Sequence, residues 1–308
     1  MKMRVAEMRE EAADVKVFSL RHPLRPELPP GEPGAHVDLR LPSGKIRQYS
    51  LCGDPDDRSV YQIAVKREEH GRGGSSWIHE SLVPGSEVHV SAPRNNFPLA
   101  HDADRHILVA GGIGVTPFLS MAQRLLKMRA DFRLHYCSRA PSPPFAERLL
   151  ELCNGRLQIY GPAVGSRRFN AAAEFAEVLD GTHIYCCGPQ RLTDAVREAT
   201  QHWPHERVHF EAFQPTADEN FNPEPFDIKI ASTGQVLRVP AERSALDVLR
   251  GEGFALPSSC ELGVCGSCEC RYREGVVIHR DSVLSVGARQ DRMMLCVSRA
   301  RVQVTLDL

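Results

Sequence analysis

No stretch of eighteen or more apolar residues occurs in this 308-residue chain, so it offers no candidate membrane-spanning helix. Its opening, MKMRVAEMREEAADVK, is too charged for a secretory leader. A surplus of either charge is also missing. Lys and Arg number 38 against 39 Asp and Glu, a formal net charge of −1, which leaves no broad basic field for a nucleic-acid backbone or an anionic membrane. Ten cysteines are too few for a disulfide scaffold, and four of them crowd between Cys260 and Cys270, as metal-site thiols do. The expectation is a soluble, cytoplasmic protein with reduced thiols and a metal, and with neither nucleic acid nor membrane as a partner.

The length suits two or three domains. Residues 1–100 read as short alternating segments, DVKVFSLR, AHVDLRL, YQIAVKR and SEVHVSA, cut by turn residues, the pattern of an antiparallel β-barrel. Over 101–213 the period changes. The runs HILVA, FRLHY, RLQIY, HIYCC and RVHFEAF alternate with helical stretches, predicting an α/β domain with a parallel sheet covered on both faces. One helix starts at Thr116, read as its cap, with Pro117 at the first position and Phe118, Met121, Ala122 and Leu125 on one stripe. Leu192, Ala195, Val196 and Ala199 repeat that spacing. Residues 214–225, QPTADENFNPEP, carry no apolar period and read as a linker. In 226–308, FDIKIAS and QVLRVPA form a hairpin, and SALDVLRGEG a short helix with Ser244 and Asp247 at capping-box spacing and Gly251 or Gly253 at its end.

Cys260, Cys265 and Cys268 stand as C-x4-C-x2-C, and Cys296 follows after 27 intervening residues. This is plant-type 2Fe-2S spacing: three thiolates on one loop fix a cluster edge and the fourth arrives from a separate strand. Gly263 and Gly266 fall where a wrapping loop needs positive φ. The competing reading is a four-thiolate zinc site, although zinc ribbons use two short knuckles. Cys270 reads as a bystander, and Cys52, Cys137, Cys153, Cys186 and Cys187 as small buried hydrophobes.

After HILVA comes GGIGVTP, in which Gly112 and Gly114 would let a pyrophosphate approach the start of a helix. The competing reading is a tight strand-to-helix turn. Cys187-Gly188-Pro189 ends the fourth strand in the same way, and two such loops put a ligand across the carboxyl ends of the sheet. In the barrel, Arg47 suits a phosphate, Tyr49 can cover a flavin ring, and Gly73, Gly74 and Ser75 can present N–H groups at a helix start. Composition alone equally allows a strand-end charge, a surface Lys66 and a flexible loop.

With RQYSLC, AVKREEHGRGGSSW, APRNNFPL, LVAGGIGVTP, HYCSRA, YCCGPQ, PSSCELGVCGSC, HRDSVL, CVSRA and a terminal LDL in this order, the whole chain resembles the phthalate dioxygenase reductase group of ferredoxin-NADP reductase-like flavoproteins. The resemblance implies an FMN barrel, an NAD domain and a plant-type ferredoxin domain of the β-grasp kind. It places Arg47, Tyr49 and Ser50 in a flavin-binding R-x-Y-S motif, with Ala64, Lys66, Gly73, Gly74 and Ser75 near the ring and phosphate. Thr116 and Cys187-Gly188-Pro189 would flank the nicotinamide, and Phe226 would lie against the flavin. The expectation built on it is electron transfer from NADH through FMN and the cluster to the Rieske centre of a terminal oxygenase, by a monomer, with no protein residue acting as acid or base; the alternatives are a reductase for a diiron or haem hydroxylase, or a metal-stabilised C-terminal interaction module with no redox role. FMN rather than FAD is expected, because APRNNFPLAHDADRHILVA runs directly into the nucleotide domain and leaves no segment for an adenylate. Ser138-Arg139 stands where some relatives carry an acidic residue for the ribose, which leaves NADH against NADPH less settled, and NADH is expected because no cluster of Arg or Lys beyond Arg139 follows FRLHYCS to clamp a 2′-phosphate.

Overall fold

The computed structural model describes residues 1–308 except 45, 70, 72, 166, 214–220, 282 and 286, and except the side chain of residue 163. The chain divides into two compact units, Met1–Ala212 and Phe213–Leu308. Much of the expected linker lies in 214–220, outside the described residues.

The first unit begins with six strands, β1 (Lys2–Ala12), β2 (Val15–Arg21), β3 (His36–Arg40), β4 (Ile46–Ser50), β5 (Tyr61–Lys66) and β6 (Glu87–Val90), with helix α1 (Gly74–Ser81) between the last two. They pair antiparallel in the order β4-β3-β6-β1-β2-β5, and a bridge from Leu51 to Ile63 closes the barrel. Met3, Val5, Phe18, Leu20, Val37, Leu39, Ile63 and Val65 fill it. Strand β1 is an addition to the expected elements. Its inward Met3 and Val5 alternate with charged residues, but register shifts at Val5/Glu7 and Glu10/Ala12 break the period that would reveal it.

Next come β7 (Arg105–Gly111), α2 (Thr116–Lys127), β8 (Asp131–Cys137), α3 (Ala146–Cys153), β9 (Leu157–Tyr160), α4 (Ala171–Glu174), β10 (Thr182–Cys187), α5 (Gln190–Ala199) and β11 (Val208–Glu211). The five strands are parallel in the order β11-β10-β7-β8-β9. The winding reverses between β7 and β10, so a crevice opens at their carboxyl ends. Helix α2 buries Phe118, Met121, Ala122 and Leu125 as expected, the larger side chains each contributing roughly 1.5–3 kcal/mol by area. Thr116, however, is the first helical residue rather than the cap: its hydroxyl turns back to donate to the Ile113 carbonyl at 3.0 Å. On α5, Ala195 is exposed and Thr193 takes the buried place beside Val196. Barrel and sheet are fastened together where Glu11 Oε1 accepts the Phe145 N–H at 2.7 Å, at the start of α3.

The second unit holds β12 (Phe226–Ile230), β13 (Val236–Val239), α6 (Ala245–Gly251), β14 (Glu269–Ile278), β15 (Arg292–Met294) and β16 (Arg299–Leu306), ordered β13-β12-β16-β14-β15. Only β12 and β16 run parallel among these pairs. Helix α6 starts with the expected Ser244/Asp247 capping box and buries Leu246 and Leu249 against Ile228, Val239, Met293 and Val304. Among the described residues no helix is long and apolar enough to cross a membrane.

Candidate functional site

The segment from α6 to β14 brings three thiols onto one loop. Arg250 of α6 fastens its start, donating to the Leu256 carbonyl at 3.0 Å, to Ser258 Oγ at 2.6 Å and to Glu261 Oε1 at 3.1 Å. Glu261, Gly263 and Gly266 all take positive φ, 54°, 74° and 77°, and the glycines make that wrap possible without strain. The fourth cysteine lies not on a strand but in the turn between β15 and β16, where the Leu295 N–H donates to the Cys268 carbonyl at 3.1 Å and so sets Cys296 beside Cys268.

The four thiols form two pairs: Cys260 hydrogen-bonds to Cys265, and Cys268 to Cys296. Within them the Cys265 and Cys268 thiols are pulled down by the hydrogen bonds from their partners. Backbone N–H groups already point at sulfur, Leu262 to Cys260 Sγ at 3.3 Å and Gly263 to Cys296. Three thiols on one loop and a fourth held beside Cys268 supply the four-thiolate donor set that a binuclear cluster takes. Among the described residues no three His, Cys, Asp or Glu side chains converge as a single ion requires. Cys270 faces the apolar core, where burial pushes its thiol up to about 11.

At the carboxyl edge of the parallel sheet the glycines serve a purpose different from the expected one. A Cβ on Gly114 would stand 2.3 Å from the Cys187 carbonyl oxygen, and one on Gly111 would stand 2.6 Å from Pro189 Cδ. These two residues are small because the loops after β7 and β10 touch backbone to backbone, a constraint that exists without any ligand. Gly112 alone, at φ 54°, opens onto empty space and stays available to a phosphate. The loop after β8 is self-contained: Ser138 Oγ accepts the Ala140 N–H at 3.2 Å, and Arg139 is exposed.

Strand β4 carries the barrel's contribution. Arg47 and Tyr49 alternate with Gln48 and Ser50 along it, so the two pairs face opposite ways. Arg47 lies against the start of α1, since a Cβ on Gly74 would sit 2.6 Å from its Nε. That helix starts at Gly73, φ 78°, with no side-chain cap, so a guanidinium and open helix N–H groups come together, as an anion requires. Ser75 Oγ accepts the Glu68 N–H at 3.0 Å and shapes the approach. Ala64 and Lys66 share the outer face of β5, Lys66 pairing with Glu68 at 3.0 Å and with Asp14 at 3.8 Å.

The two parts meet at a group that the sequence reading missed. Glu211, the last residue of β11, accepts from Cys187 Sγ at 3.9 Å and lies by Ser50 of the barrel. Burial pushes its carboxyl up to about 8, against the pull of Ser50 and Cys187. The available signal was an acidic residue ending the last strand of the sheet, at the edge where such sheets bind ligands. Phe226, by contrast, is misplaced in the sequence reading. It is fully buried in the core of the second unit beneath the Arg299 guanidinium, at 4.9 Å, so its ring has no face to offer a flavin.

Residues 228–301 match the family model of a 2Fe-2S iron-sulfur cluster binding domain. The chain is 43% identical to the phthalate 4,5-dioxygenase oxygenase reductase subunit of Pseudomonas putida, over 99% of this chain and 96% of that one. Among solved structures it is similar to phthalate dioxygenase reductase, described as a modular structure for electron transfer from pyridine nucleotides to 2Fe-2S. The TM-score is 0.81 and the identity 40%, covering 100% of this chain and 98% of that one. It also matches, at TM-score 0.84 and 38% identity, 41% of the length of an intact type IV self-sufficient cytochrome P450 monooxygenase.

Proposed function

Because this chain belongs to the phthalate dioxygenase reductase family, we propose that it is the NADH-dependent reductase component of an oxygenase, carrying electrons from NADH through FMN and a 2Fe-2S cluster to the Rieske centre of a separate terminal component. What supports this reading is the placement of Cys260, Cys265 and Cys268 on one loop with Cys296 brought beside Cys268, inside the stretch 228–301 that matches a 2Fe-2S cluster binding domain and in a unit other than the one bearing the sheet edge and barrel. When bound, FMN takes two electrons at once and releases them singly, and the cluster carries one at a time.

The chain's own residues bind and orient. Arg47 and the N–H groups of α1 hold the flavin phosphate, and Tyr49 covers the ring. Gly112 admits the nucleotide pyrophosphate, while Thr116 and Cys187-Gly188-Pro189 bound the nicotinamide. Glu211, raised to about 8, keeps a proton on its carboxyl at neutral pH beside Cys187 and Ser50. The four cysteines supply thiolates to iron. A haem monooxygenase as acceptor is the second reading, favoured because a stretch similar to the whole of this chain is part of a self-sufficient cytochrome P450.

Anaerobic titration of the purified protein tests the assignment. NADH should bleach both the flavin band and the red cluster absorbance, ending at about three electrons per chain, two on the flavin and one on the cluster. NADPH should do so far more slowly, and heat should release FMN. Release of FAD, or a flavin reduced without any loss of red absorbance, would contradict the reading.

A further inference from the structure

Two residues of the HRDSVL stretch, Asp281 and Val283, lie against the glycines of the cysteine loop. A Cβ on Gly263 would meet Asp281 Cα at 3.2 Å, and one on Gly266 would meet Val283 Cγ1 at 3.5 Å. What fixes this segment is a carboxylate with no solvent exposure: Asp281 Oδ2 accepts the N–H of Leu284 at 2.8 Å and of Val283 at 3.3 Å. Leu284 is thereby set into the same core as Cys268 and Cys296. Arg289 answers the charge, with Nη2 at 3.5 Å from Oδ2 and donating to the Asp281 carbonyl at 2.7 Å. His279 closes the group. It donates from Nε2 to the Arg289 carbonyl at 3.0 Å, and its Nδ1 stands 3.7 Å from Asp281 Oδ1.

Burying the Asp281 carboxylate costs desolvation that a partly exposed guanidinium only partly offsets, so its place against a ligand loop calls for a reason other than stability. The same pair is well placed for electrostatics, because a charge in a low-dielectric interior is felt at longer range than one in water. We propose that Asp281 is a positioning residue for the cluster: its carboxylate pins the segment that packs on Gly263 and Gly266, and its charge, opposed by that of Arg289, sets the reduction potential at the four thiols. Gly263 is the link, since its N–H points at Cys296 while its open face is covered by Val297, next to Cys296, and by Asp281. Reduction adds negative charge, so a buried carboxylate nearby disfavours it and a guanidinium favours it.

The inference rests on the 2Fe-2S reading of the cysteine loop, which the iron and sulfide content of the wild-type protein tests separately. On the intact holoprotein, Asp281→Asn should raise the cluster's midpoint potential, by about tenfold in the one-electron reduction equilibrium or about 59 mV. Arg289→Gln should lower it. A purely structural role gives no such opposition of sign, and the EPR spectrum of the reduced cluster should shift in both variants. Arg289 is partly exposed, so its replacement reads the charge effect even where the Asp281 variant fails to assemble. Asp281→Ala, which removes the acceptor, should lose iron to a chelator at least about tenfold faster than wild type. A wild-type cluster whose potential stays put in Asp281→Asn and Arg289→Gln, or moves the same way in both, would overturn the electrostatic role, and wild-type iron loss in Asp281→Ala would overturn the positioning role.

Discussion

Glu211 sits where three side chains from two sheets meet, and its protonation has a thermodynamic signature. Its carboxyl is raised from 4.5 to about 8, so between those values the native state binds a proton that the unfolded state has released. Its contribution to stability is therefore present at low pH and lost as pH rises through about 8. Glu211→Gln removes that dependence. The variant should match wild type in melting temperature near pH 5 and exceed it by roughly 10 °C at pH 9, since a displacement from 4.5 to about 8 amounts to several kcal/mol at about 1.4 kcal/mol per pH unit. Parallel melting curves across that range would show that the carboxyl is not destabilised in the native state. Residues such as this are hard to find in a sequence, because an acidic strand end looks like any solvated charge until the barrel strand carrying Ser50 is placed beside it. Gly114 was misjudged for the converse reason. Glycine in a strand-to-helix loop fits either a phosphate or a backbone contact, and only the 2.3 Å approach to the Cys187 carbonyl decides.

One face of the parallel sheet collects His106 of β7, His183 and Tyr185 of β10, and His209 of β11. His183 Nδ1 and His209 Nε2 share a hydrogen bond of 3.0 Å, and the His209 and Tyr185 rings stack at 4.5 Å. Burial holds His106 and His209 down at about 4, from 6.5. For a base held down in the native state, the unfolded chain takes up protons first. Stability is thus full above pH 6.5 and falls as pH drops from there to about 4. Urea midpoints measured over that window should decline, and His106→Leu should flatten the decline. An unchanged slope in the variant would place the acid sensitivity elsewhere. Elements of this kind were legible where the period is clean, as in HILVA, FRLHY and HIYCC. They were illegible where bulges break it, as in β1, or where both faces stay open, as along much of β14. The helix start at Thr116 slipped by one residue because a Thr-Pro pair reads as a cap followed by N1, while here the chain enters α2 through a 3-10 turn, Gly112–Val115, already helical in sense.

At the scale of the whole chain, three architectures follow one another: barrel, parallel sheet, then a mixed sheet wrapped around a cysteine loop. All three were legible because each has its own signature in the sequence: alternation, buried runs between helices, and cysteine spacing. The account's central claim is that electrons reach the acceptor through the four thiolates and not from the flavin directly. Cys268→Ser tests it most directly, with flavin content, ferricyanide reduction by NADH and electron delivery to the oxygenase measured on one preparation. The account predicts near wild-type flavin content and ferricyanide turnover, with delivery to the oxygenase almost abolished. A variant that keeps its flavin and still reduces the oxygenase at the wild-type rate would contradict it.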